Sequence, residues 1–504
     1  MITVTNKKSN KLINHKELIA LMPYGLITFK SLLSYCLIAL ALTTLTATAE
    51  VPWYNEIDEN EYPKAEDILP YDYVQTNEDG TLVIEAGIEK NINLTLANCI
   101  ELALGNNPDI NIAFHDALAS DTRIRQAWSN YFPKFSWQSG YTKIKQLQLS
   151  DALGTNLTYN YWALGQITLQ QMLYDFGVTQ NQATIARLNY ENSKQTLAST
   201  INNVIFETKD AYYNLLYSYQ QQAVAIDTVK KFELFYNQAK AFYEIGLNPK
   251  VDVTIAEANL SDAKLKLISA QNSVKLAVAR LNNVMGIPYM ENYEPKDNLM
   301  FSNFDLTFED LIDIARDARP ELKQAEIQVE SAKQTLKLMK KSFFPSITFE
   351  GQYVRGGKHP NSNYGYNYGA YLTFPTINGM LIKNEIKEAR YLYDKQLAQA
   401  KKVQNDIYLE IKNAYLRLEE KKNSVPVALL QVKQTKENYE LSYGRYKVGE
   451  ASPIELKDAQ NLYQTAQLNY YDALYQYNAA RAEVERAIGK NINPDERDIV
   501  NFND

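Results

Sequence analysis

The sequence predicts a mainly α-helical protein with a small β part, built as two copies of one unit. A constant offset of 212 residues pairs Phe132 with Phe344, and beyond about residue 180 the offset changes to 203. Internal similarity at a fixed offset indicates a repeated structural unit. The 504-residue chain is therefore expected to form repeat 1 over residues 92–290 and repeat 2 over residues 306–490.

An export signal is expected over residues 1–49. Five lysines in residues 1–30 precede an apolar run near residues 32–42 and an A-x-A cleavage site that ends at Ala49. A transmembrane anchor is the alternative interpretation, but the run is shorter than the ~18–20 apolar residues that span a bilayer. Because the charged lead is long, Met22 is an alternative start to the first methionine.

Residues 50–91 are acidic and interrupted by Pro52, Pro63, Pro70 and Gly80, and we expect them to form a periplasmic leader. Cleavage of the signal would remove Cys36 and leave Cys99 as a lone cysteine. The mature chain could then form no internal disulfide.

Each repeat is expected to begin with two helices and to continue with two strands. In repeat 1, Thr95 caps a short helix, and a second helix covers about residues 108–131. Two segments of alternating character follow in each repeat, and their predicted ranges are 134–144 and 159–172 in repeat 1, and 346–355 and 364–375 in repeat 2. Period two over about ten residues, rich in tyrosine, is typical of a membrane β-strand, and a soluble hairpin has a similar pattern.

A long helical hairpin follows the strands of repeat 1. Residues 178–245 contain neither proline nor glycine and predict a single helix of about 100 Å. Gly246 can adopt the left-handed conformation that ends a helix, and Pro249 can open the return helix of residues 250–285. The tip of this hairpin is therefore predicted near residues 246–250.

Repeat 2 has a matching hairpin, with a long helix over about residues 380–448 and a tip near residues 449–453. Apolar residues recur with a 3-4 spacing along the return helices, which is the pattern of a coiled-coil seam and indicates packing core rather than a cofactor site. The return helix and the upper helix together span about 90 Å, so each repeat is expected to be one long helix beside two stacked shorter ones. The linker of residues 291–305 and the tail of residues 491–504 are expected near that junction.

The number of predicted strands indicates that a membrane-spanning form of this protein would be an oligomer. The mature chain has no long apolar helix, so a membrane-spanning form must cross as a closed barrel of strands. Four strands are too few, because the smallest transmembrane barrels have eight. Three copies would supply twelve strands, with the helices continuing below as a hollow cylinder. Because the helical part, at about 100 Å, is longer than any bilayer is thick, it must project into the space on one side.

Charge and motifs exclude several function classes. The net charge of −7 argues against nucleic acid as a partner. His115 and His359 are far apart in the sequence, and no phosphate loop, paired-cysteine metal site or nucleophile elbow is present. We therefore expect no enzyme activity, no cofactor and no resident metal.

The alternating hairpins, the glycine tips at Gly246 and Gly449 and the duplication resemble those of the TolC-type outer-membrane efflux proteins over residues 92–490. The resemblance implies a homotrimeric channel-tunnel that spans the bacterial outer membrane and extends into the periplasm. It implies a passive exit duct for drugs, toxic compounds or proteins, in an efflux or type I secretion system. The implied partners are outer-membrane lipid, a periplasmic adaptor and an inner-membrane pump.

The resemblance also implies a closed entrance at the tips. Glu455 and Asp458 correspond to the acidic pair that lines the pore constriction, where three copies would bring six carboxylates around one axis. Asp252 and Tyr446 correspond to members of a gate lock. Ala451 stands where the family prototype has an arginine, and the candidates to replace that arginine are Lys447 and Lys457.

The tip residues Gly246, Leu247, Gly449 and Glu450 would meet the adaptor, according to the same resemblance. The alternative to a channel is an exported structural coiled-coil or adhesin-like rod without a membrane barrel. Such a rod would share the export signal and the helices, but it would have no need of two tyrosine-rich hairpins.

Overall fold

A computed structural model describes residues 93–145, 158–247, 249–288, 294–357, 363–375, 380–490 and 499–500. All of these residues lie in one compact unit, Ile68–Asp504. The expected signal peptide of residues 1–49 and the expected leader of residues 50–91 lie outside the described residues.

Repeat 1 contains four helices and two long strands. The helices are α1 (Leu96–Asn106), α2 (Pro108–Trp128), α3 (Val178–Glu244) and α4 (Lys250–Val284), with a 3-10 turn at Ser129–Tyr131. The strands are β1 (Asn93–Leu94), β2 (Lys134–Lys145) and β3 (Thr158–Tyr174), of which β1 is only two residues long. Thr95 caps α1 through a hydrogen bond that its side chain accepts from the Asn98 N–H.

The linker between the repeats contains two short strands, β4 (Glu294–Pro295) and β5 (Phe301–Ser302). Repeat 2 then reproduces the pattern of repeat 1, with α5 (Phe308–Ala318), α6 (Pro320–Lys341), β6 (Ser346–Gly357), β7 (Asn363–Thr373), α7 (Leu381–Lys447) and α8 (Pro453–Ile488). A final short strand, β8 (Ile499–Val500), pairs with β5. The predicted fold class, mainly helical with a small sheet and a duplicated unit, is confirmed.

Apart from its 11-residue first helix, each repeat consists of one long helix beside two shorter ones. Helices α3 and α7 have 67 residues each and therefore run about 100 Å. The half of α3 nearer the strands packs between α2 and α6, and the half nearer the hairpin tip packs between α4 and α8. Alternating seam residues of the return helices are buried, among them Leu260, Ala263, Val274, Ala277 and Leu281 in α4. None of the described helices is both long and apolar enough to cross a membrane.

The two shorter helices of each repeat meet end to end through a side chain that caps the lower one. In repeat 1, Asn107 Nδ2 donates to the carbonyl O of Val284 at 2.8 Å. In repeat 2, the equivalent residue Arg319 donates to the carbonyl O atoms of Ala487 and Arg486. Both capping side chains are buried, which satisfies carbonyl groups that a helix end otherwise leaves without partners.

The four long strands form one antiparallel sheet in the order β2-β3-β6-β7. Strands β3 and β6 join the two repeats in the middle of the sheet, and β2 and β7 are its edges. Phe135 pairs with Leu169, Leu169 with Gly351, and Gly351 with Tyr368, so one register runs across all four strands.

Candidate pore entrance and transmembrane sheet

One face of the sheet is apolar and exposed. Residues that pair across antiparallel strands point to the same face, so the side chains of one register row share a face. Two neighbouring rows on this face are Phe135–Leu169–Gly351–Tyr368 and Trp137–Ile167–Tyr353–Tyr366. Trp137 is 74% exposed and Tyr366 is 70% exposed. An exposed aromatic face of this extent marks a surface that contacts a partner or a membrane.

The opposite face of the sheet is polar. The row between the two apolar ones is Ser136–Thr168–Gln352–Asn367, and the row Lys134–Gln170–Glu350–Gly369 lies on the same polar face. Within the second row, Gln170 Nε2 donates to Glu350 Oε1 at 3.2 Å. Over these four rows the sheet is therefore amphipathic, with apolar side chains on one face and polar side chains on the other.

At the far end of the helices, both hairpin tips have the same backbone turn. Gly246 has φ +76° and Gly449 has φ +81°, which is the left-handed conformation that glycine adopts without steric cost. The Leu247 N–H donates to the Phe242 carbonyl at 2.8 Å, and the Glu450 N–H donates to the Arg445 carbonyl at 2.9 Å. Each glycine N–H also donates to the carbonyl three residues earlier, at 3.0 Å for Gly246 and 3.1 Å for Gly449, and these bonds together form Schellman motifs that end α3 and α7.

The four residues predicted to meet an adaptor lie in these turns. The side chain of Leu247 is 69% exposed, and Glu450 is also exposed. No heavy atom lies within 4 Å of the position that a Cβ would occupy on Gly246 or Gly449. The tips therefore present free backbone and side-chain surface.

Glu455 and Asp458 both lie near the start of α8, but their surroundings differ. Glu455 Oε1 accepts a hydrogen bond from Arg445 Nη1 at 2.6 Å, across the tip of the second hairpin. Asp458 is exposed and forms no ion pair with any residue that the structure describes. The sequence analysis missed Arg445 as a site residue, although its position ten residues before Glu455, across a glycine turn, could have indicated the pair.

Asp252 and Tyr446 come together around one small cavity. This cavity, of about 20 Å³, lies between α3, α4, α7 and α8, and Lys457 also lines it. Tyr446 is only 4% exposed. Burial, with the negative charge of Asp252 as a smaller cause, raises the pKa of Tyr446 above its usual range. The structure thus brings together Asp252, Tyr446 and one of the two predicted lysines.

An aromatic cluster surrounds this cavity and holds the two hairpins together. Its buried members come from all four lower helices and are Phe232, Phe235, Leu260, Ala263, Tyr446 and Leu456. One turn higher, Lys231 lies 4.9 Å from the ring centroid of Tyr439 and 4.8 Å from that of Tyr463, so a cation–π contact links the hairpins as well. The lower ends of the hairpins therefore pack as one unit.

Comparison with known proteins places this architecture in a family. The sequence profile of the outer membrane efflux proteins matches residues 99–287 and 311–490. The two matched ranges correspond to the two repeats and together cover well over half of the chain.

Individual relatives are distant but cover most of the chain. Nodulation protein T of Rhizobium leguminosarum bv. trifolii is 22% identical over 415 residues, which span 79% of this chain and 86% of the relative. Outer membrane protein TolC of Escherichia coli (strain K12) is 20% identical over 413 residues, which span 76% of this chain and 80% of the relative.

A solved structure shows the same fold. The crystal structure of the Campylobacter jejuni CmeC outer membrane channel aligns with a TM-score of 0.68 at 17% identity, and covers 81% of this chain and 90% of that one. The resemblance predicted from the hairpins and the glycine tips is confirmed. The chain therefore belongs to the outer membrane efflux protein family and is an outer-membrane exit duct for efflux or secretion.

Proposed function

We propose that this protein works as a homotrimer in which three four-stranded sheets close into one twelve-stranded barrel. The observation that carries this proposal is the amphipathic sheet, in which β2 and β7 are the edges and pair with no further strand among the described residues. An open sheet edge in lipid leaves a row of backbone N–H and C=O groups without partners, which costs several kcal/mol for each group. Pairing β7 of one copy with β2 of the next removes both edges.

In this trimer the exposed aromatic rows face lipid and the polar rows face the lumen. Strands of transmembrane barrels alternate apolar-out and polar-in, which is the alternation of the rows that contain Trp137 and Ser136. The helices continue from the sheet for about 100 Å, farther than any bilayer extends, and so form a tunnel in the periplasm.

The tips form the entrance of this tunnel. Glu455 and Asp458 of three copies line the constriction, and Asp252, Tyr446 and Lys457 form the lock beside it. Lys457 takes the part of the arginine that the family prototype has where this chain has Ala451, because Lys457 lines the cavity of Asp252 and the exposed Lys447 does not.

Gly246, Leu247, Gly449 and Glu450 contact a periplasmic adaptor, which connects the tunnel to an inner-membrane pump. The duct itself is passive and carries drugs, toxic compounds or proteins that the pump delivers. The sequence shows no motif for coupling energy to transport, so the energy for export is supplied by the pump.

Electrical recording with the purified protein tests the proposal. Protein extracted from outer membranes is expected to insert into planar lipid bilayers and to give discrete single-channel conductance steps. An exported rod without a barrel would partition into the aqueous fraction and give no steps. Persistent failure to conduct, with the oligomer intact on gels, would contradict the proposed duct.

A further inference from the structure

The tip of the second hairpin carries an ion pair that bridges its two helices. Arg445 lies in the last turn of α7, and Glu455 lies in the first turn of α8. Arg445 Nη1 donates to Glu455 Oε1 at 2.6 Å, and Nη2 of the same guanidinium donates to the carbonyl O of Glu450 at 3.3 Å. The guanidinium therefore connects the end of one helix, the turn and the start of the next helix.

The first hairpin has the same turn without this ion pair. The offset of 203 residues that relates the tips places Phe242 at the position of Arg445, and Asp252 at the position of Glu455. Both tips nevertheless form the same left-handed glycine turn with the same backbone hydrogen bonds. Arg445 is therefore an addition to the second tip and is not required to form the turn.

The position of Arg445 changes the charge of the entrance. A ring of Glu455 and Asp458 from three copies would contain six carboxylates. Each Arg445 lies within hydrogen-bond distance of one of them, and opposite charges this close cancel at the distances over which a passing ion is attracted. What remains is the carboxylate of Asp458, which is exposed and forms no ion pair with the described part of the chain.

We propose that Arg445 is a selectivity-determining residue of the entrance, because it neutralises Glu455 and leaves Asp458 to attract cations. This inference rests on the proposed assignment of Glu455 and Asp458 to the constriction. Its consequence is a weakly cation-selective duct that also passes anionic cargo, whereas six free carboxylates would repel anions strongly.

Reversal potentials across planar bilayers in a KCl gradient test the inference, with the ratio of potassium to chloride permeability as the readout. Arg445→Gln frees three carboxylates and is expected to raise this ratio by about twofold or more. Arg445→Lys keeps the charge and is expected to keep the wild-type ratio. Asp458→Asn is expected to lower it.

The double variant Arg445→Gln with Glu455→Gln removes both members of the ion pair. If Arg445 neutralises Glu455, this variant retains the wild-type ratio, and it decides the question should Arg445→Gln alone fail to assemble. A ratio well below wild type in the double variant would show that Glu455 acts as a free charge and would overturn the inference.

Lys447→Gln is the matched control, because Lys447 is an exposed cation in the last turn of the same helix. An equal rise in Lys447→Gln and Arg445→Gln would mean that any nearby cation has this effect, and would overturn the specific role of Arg445. A shift in Asp458→Asn without one in Arg445→Gln would refute the inference and leave the constriction standing. Unchanged ratios in both variants would refute the constriction itself.

Discussion

At the scale of single residues, the side chains around the small cavity between the hairpin tips are expected to influence whether the entrance is closed or open. Asp252, Tyr446 and Lys457 line a space of about 20 Å³ in the middle of an apolar cluster. A nearby cation stabilises a half-buried carboxylate in such surroundings. Without a cation, burial of the negative charge destabilises the packed state. Lys457 is the lysine that lines this cavity, so its charge should favour the closed packing of the tips.

Replacing this lysine is expected to open the entrance. Lys457→Met keeps the approximate length of the side chain but removes a positive charge from the lining of the cavity that Asp252 also lines. A loss of about 1 kcal/mol from the closed state raises the ratio of open to closed channels about fivefold. Single-channel recordings measure this ratio, and Lys447→Met serves as the charge-matched control outside the cavity. Equal open fractions in the two variants would contradict a lock built on Lys457.

The residues of the entrance were only partly predictable from the sequence. Glu455, Asp458, Asp252 and Tyr446 were implied by the resemblance to the TolC-type family, and their roles remain predictions. Arg445 was missed because its effect depends on how the turn folds α7 back against α8. No periodic pattern along either helix records that contact.

At the scale of elements, the junction of repeat 2 concentrates charge where helices meet. Arg319 pairs with Glu321 at 2.7 Å and with Glu410 at 2.6 Å, and Arg486 pairs with Glu410 at 2.9 Å. Burial opposes the charge of Glu321, but the hydrogen bond from Ser199 and the guanidinium of Arg319 outweigh it and lower the pKa of Glu321 below 4.5.

This shift predicts how acid affects stability. A carboxyl whose pKa is lower in the folded state stabilises the fold above its unfolded pKa, and this contribution is lost as the pH falls through the folded value. The melting temperature followed by helical circular dichroism should therefore drop below about pH 4.5, and less steeply in Glu321→Gln. Glu326→Gln, an exposed carboxylate on the same helix, should retain the wild-type slope. Parallel slopes in all three proteins would rule out this contribution.

The bounds of the elements were largely predictable, because glycine and proline mark them. Gly246 and Gly449 end the long helices, and Pro108 and Pro320 open the upper ones. The strands β1, β4, β5 and β8 were not predicted. Each has only two residues, which is too short for a periodic pattern, and each pairs with a strand distant in the sequence.

At the scale of the whole molecule, the character of each face of the sheet indicates which face contacts lipid and which contacts water. Tyr366→Arg places a charge on the apolar face and should weaken insertion by about 2–4 kcal/mol if it lies near the middle of the bilayer. Asn367→Arg places the same charge on the neighbouring residue of the same strand, on the polar face. Heat-stable oligomer recovered from outer membranes should fall in the first variant and not in the second. The reverse order would mean that the faces are assigned wrongly.

The strand count required more than one copy, because four strands cannot close a barrel, and the resemblance to the TolC-type family implied three. The sheet order then explains why one chain is insufficient, since β2 and β7 each have a free edge. The proposed barrel and the six-carboxylate constriction both depend on joining those edges between copies.

The most direct test of this claim is the stoichiometry of the purified protein in detergent micelles, measured by native mass spectrometry. A single species of three times the mass of the mature chain is the expected result. A monomer that remains stable in detergent, or a protein that stays in the aqueous fraction, would contradict the shared barrel.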